Sequence, residues 1–131
     1  MKSIVAALTC AVALVIAGSA GAETWKVKAN AATLVGWHAV YSEIGCELRP
    51  PEKYEVARQP GHGRIALPVR PVTSDSTENG CRGFKGTAVT VTYTPAPGYR
   101  GPDTFSIRVT YEEYLDPPMT SDVTRYDVNV Q

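Results

Sequence analysis

The chain lacks a surplus of charge of either sign: its 131 residues carry 13 Lys and Arg against 13 Asp and Glu. It also lacks a basic run. A near-neutral chain without one has no electrostatic footprint for nucleic acid or for an anionic membrane surface. Histidine is nearly absent, with only His38 and His62. Neither can be assigned a serine or cysteine nucleophile and an acidic partner, so no catalytic constellation emerges and no enzyme is expected. Cysteine is scarce as well. There are three, with no Cys-x-x-Cys, which argues against a redox-active pair. Only one long apolar run occurs, near the N-terminus, so no integral membrane segment is expected once it is removed. Nothing in the composition asks for a cofactor.

That one run has the build of a secretory signal peptide. Lys2 supplies a positive start, Ile4 to Ile16 are apolar, and Ala20-Gly21-Ala22 is a small-x-small cleavage site. The run is shorter than the roughly 20 residues that span a bilayer. Cys10 lies inside it, too early and behind too poor a match (Ala7-Leu8-Thr9) for lipidation. Residues 1–22 are therefore expected to be cleaved, leaving residues 23–131 as one domain in the periplasm or outside the cell. The mature chain carries 12 basic and 13 acidic residues.

Export places Cys46 and Cys81 in an oxidising compartment, where an even pair in a small β domain reads as one disulfide. It would close a loop of about 35 residues, worth on the order of 3–4 kcal/mol in the chain-entropy model. The alternative is a metal site with His38 and His62, but the close paired spacing of zinc modules is missing. Asp75 and Glu78 fall far short of the six to eight oxygens calcium needs.

What is present is alternation. Val89, Val91 and Tyr93 alternate with Thr90, Thr92 and Thr94; Phe105, Ile107 and Val109 alternate with Ser106, Arg108 and Thr110. A period of two places each apolar set on one face of a strand. Between them, Pro95, Pro97, Gly98, Gly101 and Pro102 exclude helix and make a link too long for a two-residue hairpin, suited to crossing between sheets. Tyr99 should plug a core end from within it.

The series Tyr93-Thr94-Pro95, Gly98-Tyr99, Gly101, Asp103, Phe105, with Pro60-Gly61-His62-Gly63 before the strand Arg64–Leu67, resembles bacterial Ig-like, cadherin-like repeat domains. The likeness covers roughly residues 56 to 111. It implies a β-sandwich of a secreted or surface protein in which Gly63, Tyr93, Pro95, Gly98, Tyr99, Gly101, Asp103 and Phe105 are structural and His62 forms a turn. This chain holds one copy. It also has no Asp-rich linker of the kind through which tandem arrays bind calcium.

Elsewhere, Trp25, Val27 and Ala29 mark a first strand. Residues 31–44 fit a helical face or one or two strands, with Gly36 and the β-branched content favouring strand. Trp37 reads as core, with ligand stacking the other possibility. Tyr54 and Val56 mark a strand after the Pro50-Pro51 break. Residues 68–86 read as a long irregular region. Tyr114, Leu115, Pro117, Pro118 and Met119 form an apolar connection that either folds over an open end of the sandwich or offers a contact patch. Tyr126, Val128 and Val130 should line the core on the last strand. The expectation is an all-β, Ig-like antiparallel β-sandwich of about seven strands. It would work as a non-enzymatic binding or interaction module of a bacterial envelope with a protein or glycan partner. Alternatives are an assembly protein that pairs at a sheet edge, or an inhibitor of a secreted enzyme.

Overall fold

The structure, a computed structural model, describes residues 23–42, 45–77, 80–112 and 119–131. The expected leader at 1–22 and the contact residues Tyr114, Leu115, Pro117 and Pro118 lie outside the described residues. Ten strands form: β1 (Thr24–Val27), β2 (Thr33–His38), β3 (Val40–Ser42), β4 (Glu47–Arg49), β5 (Lys53–Arg58), β6 (Gly63–Ala66), β7 (Val69–Ser74), β8 (Phe84–Pro95), β9 (Gly101–Glu112) and β10 (Met119–Val130). Among the described residues no helix is long and apolar enough to cross a membrane.

The alternating runs become the longest strands and organise two sheets. In the first, β9 and β10 form an antiparallel ladder from Met119 opposite Glu112 to Val130 opposite Gly101. Strand β5 joins the other side of β9, and β1 joins β10 in parallel, for the order β1-β10-β9-β5. In the second, β8 is central. Antiparallel β2 and the short parallel β4 share one of its edges, while β6 and β7 share the other. Strand β3 extends this sheet from β4. The proline- and glycine-rich link at residues 96–100 carries the chain from the second sheet into the first, as its length predicts.

The sheets face each other across one main cluster. Val35, Val91 and Tyr93 come from one side; Val27, Phe105, Ile107, Val109, Tyr126, Val128 and Val130 come from the other. Phe105 stacks between Tyr93 and Tyr126, with centroids 5.9 and 5.0 Å apart and planes within 4° and 3° of parallel. The offset suits aromatic quadrupoles. A smaller cluster of Leu48, Cys81 and Phe84 lies toward the start of β8. There Cys46 and Cys81 are joined as a disulfide, with Cα atoms 5.7 Å apart.

Three expectations are corrected. Among the described residues there are ten strands rather than about seven, because short β4, β6 and β7 dock along β8 and β3 docks on β4. Residues 68–86 are not wholly irregular: they contain β7 and the first residues of β8. Proline is tolerated in β7 because, among the described residues, this strand pairs only with β8, so the missing N–H of Pro71 interrupts no second ladder. Third, Trp37 is not core. A register shift between Leu34 and Gly36 makes Val35 a bulge. The extra residue reverses the alternation, so Val35 and Gly36 both face inward and Trp37 turns outward, 38% exposed.

Candidate functional site

The motif residues converge on one corner, where they bond to and pack against one another. Asp103, 9% exposed, accepts hydrogen bonds from the Tyr93 hydroxyl (2.8 Å) and from the backbone N–H groups of Gly61, His62 and Thr104 (each 2.9 Å). Burial alone would raise its pKa. The bonds from Tyr93 and then from His62, Gly61 and Thr104 outweigh that and hold the carboxyl below its ordinary value. Burial, and then the same hydrogen bond to Asp103, push the Tyr93 hydroxyl up. Gly63 lies against this pair; a Cβ there would meet the Tyr93 ring and the Thr94 carbonyl at 2.7 Å. Pro95 is buried at the end of β8, and the Gly98 N–H donates to the Asn30 side chain at 3.0 Å. Tyr99 packs against the main cluster and donates from its hydroxyl to the Pro102 carbonyl, beside Gly101. Its ring stacks on His62 with centroids 4.1 Å apart. His62 is thus an exposed turn residue braced by a tyrosine, and among the described residues no nucleophile is paired with it.

At the opposite end of β8, the two cysteine sulfurs that a metal site with His38 and His62 would need are joined in the disulfide. Among the described residues no group of three His, Cys, Asp or Glu is placed to hold a metal ion.

The feature with the form of a ligand site is a cleft of about 400 Å³ lined by residues 37–41, Pro51, Val109, Tyr111, Asp122 and Thr124. It lies between the β2–β3 segment of one sheet and the ends of β9 and β10 that flank residues 113–118. Its rim carries Trp37 and Tyr41, both substantially exposed. Tyr41 is propped edge-on against buried Phe84, centroids 5.5 Å apart. The Tyr111 hydroxyl donates to Asp122 Oδ2 at 2.9 Å, which fixes the carboxylate at the cleft wall. Behind them, His38 Nε2 lies 2.8 Å from the Tyr126 hydroxyl, with the rings edge to face.

Gly36 makes that last contact possible: the Tyr126 hydroxyl stands 2.8 Å from where a Cβ would be. Burial lowers the pKa of His38 and pushes Tyr126 up to about 12. At neutral pH the pair is therefore an uncharged imidazole bonded to a protonated phenol. Of this pair, His38 lines the cleft as an uncharged polar group. With Asp122 it lets the cleft accept and donate hydrogen bonds beside apolar surface, the usual make-up of a small-ligand pocket.

Two wider depressions, about 690 and 850 Å³, border the disulfide hairpin and the Arg58–His62 turn. Neither presents an exposed Trp or Tyr.

Of the expected contact residues, Met119 is described. It is exposed and begins β10 rather than belonging to a connection. Tyr111 and Asp122 were not singled out from the sequence, and His38 was weighed there only as a catalytic or metal-binding histidine. Their significance lies in cross-strand position, for which neither residue carries a local signal. Gly36 beside Trp37 was the available hint of a bulge. No family model, no curated protein and no solved structure matches the chain.

Proposed function

We propose that this chain is a non-enzymatic binding module of a bacterial cell envelope, an Ig-like sandwich that takes a protein or glycan ligand in the end cleft. The cleft carries the reading: exposed Trp37 and Tyr41, with Asp122 fixed by Tyr111, offer stacking surface and directional polar contacts in one place. The Ig-like reading is supported by strand order. Strands β5, β9 and β10 stand as C, F and G of such a sandwich, β2 and β8 as B and E, and β6 with β7 as D. The disulfide supports an oxidising compartment, periplasmic or extracellular.

Trp25 and Trp37 are the two tryptophans. A Trp25→Phe background therefore leaves the cleft residue as the sole indole reporter. Titrating envelope oligosaccharides and peptides should shift its emission saturably, and Tyr41→Ala or Asp122→Asn should weaken that response. No response to any probe, or a response indifferent to both substitutions, rejects the cleft.

A further inference from the structure

The sheets leave several edges open, and most carry a device against pairing. Strand β1 is four residues long and includes Lys26; β6 is equally short and includes Arg64. Strand β5 carries Lys53, Glu55 and Arg58, with a register irregularity of its own. Strand β7 holds Arg70 and Pro71. Charge, proline and brevity all discourage a second chain from adding to an edge.

Strand β2 differs. Its six residues, Thr33-Leu34-Val35-Gly36-Trp37-His38, contain no Asp, Glu, Lys, Arg or Pro. It pairs with β8 alone, so its other edge is open among the described residues. Residues directly opposite each other share a face of the sheet. Thr33, Gly36 and His38 oppose core-facing Tyr93, Val91 and Val89, and Val35 is buried. Leu34 and Trp37 oppose Thr92 and Thr90 on the outer face, 58% and 38% exposed. The bulge thus gives the strand an in-out-in, in-out-in pattern that is symmetric about the Val35–Gly36 bond.

We infer that the free edge of β2 is a self-association surface: β2 of a second copy pairs with it antiparallel, about a two-fold axis at the Val35–Gly36 bond. In that register Leu34 of each copy lies opposite Trp37 of the other, and Thr33 opposite His38. Both faces match, and no charge meets a like charge. Strand β5 paired with itself about its own midpoint would instead set Lys53 against Arg58 twice. A two-fold contact is isologous, so one self-complementary strand is enough. Six residues of edge make a small interface, so the dimer forms and dissociates with concentration rather than being permanent. This inference extends the edge-pairing reading of the chain and stands without the cleft.

The test uses the oxidised, exported protein from cells producing the whole chain, followed by sedimentation velocity over a wide concentration series. The sedimenting mass should double as concentration rises, and the β2 amides should gain protection from hydrogen exchange in step. Leu34→Lys, at an exposed position outside the cleft lining, should weaken association about tenfold or more while leaving the melting temperature nearly unchanged. The double variant L34K/W37E sets the introduced lysine against the introduced glutamate twice and should recover part of that loss. A monomer at every concentration overturns the inference. So does a dimer indifferent to Leu34→Lys, a double variant that associates no better than the single one, or dimerisation without protection of β2.

Discussion

At its Pro95 end, β8 runs into the main cluster, where Tyr93, Phe105 and Tyr126 stack in series and Asp103 gathers four donors. At its Phe84 end the buried cluster among the described residues is small: Phe84 itself with Leu48 and Cys81. There β4, three residues long, pairs with β8 through just Glu47 opposite Lys85 and Leu48 opposite Gly86. The first end has enough apolar area for the strands to hold one another. The second does not, and two local devices substitute. The disulfide limits the freedom of the unfolded loop. Gly86 lets the backbones approach so closely that a Cβ there would collide with the Leu48 carbonyl. A thin cluster can thus share a strand with a thick one when a covalent bond supplies what buried area cannot.

The sharpest way to break this comparison is Phe105→Ala. It removes the middle ring of the stack, should cost about 3–5 kcal/mol, and should destabilise the whole domain in urea unfolding. Replacing Cys46 and Cys81 together by serine should cost about 3–4 kcal/mol. Its signature should also be local, with β3 and β4 losing hydrogen-exchange protection well before β9 and β10. Equal loss everywhere would show that the two ends form one cooperative unit.

Asp103→Ala leaves the Tyr93 hydroxyl and backbone donors short of a buried acceptor and should cost about 2–3 kcal/mol. The sign of its pH dependence follows from the depressed pKa. Its contribution is complete above the unfolded carboxyl value near pH 4, and it is lost as pH falls through the folded value. The acid limb of a stability profile below about pH 4 should therefore flatten in the variant. The smallest effect belongs to His38. Its folded pKa is lowered, so the uncharged state favours folding above the unfolded value near 6.5, and stability declines as pH falls below that. His38→Gln should remove this mild decline and leave the acid limb of Asp103 in place.

The corner and the strands that meet there were largely legible in the residues themselves. Tyr93, Phe105, Ile107, Tyr126 and Val128 are buried where alternation places them. The link at 96–100 crosses between sheets as its prolines and length require, and Cys46 and Cys81 pair as the cysteine count predicts. Residues 68–86 were harder, because Pro68, Pro71 and the later serines and glycines mark turns by local chemistry, and local chemistry does not reveal that an edge of β8 is free to receive β7. Trp37 was misread for a related reason: the strand's alternation is interrupted by one residue at Val35.

By itself the sequence determined the strand class, the core face of the longest strands and the cysteine pair, because period two, backbone-restricting residues and cysteine count are local properties. Only the tertiary structure decided which way Trp37 points, that Tyr111 holds Asp122, that His38 meets Tyr126, and that β2 is left with an uncharged open edge. Each of these depends on register between strands distant in the chain. Register is set by the packing of both sheets together, and a single bulge is enough to reverse it.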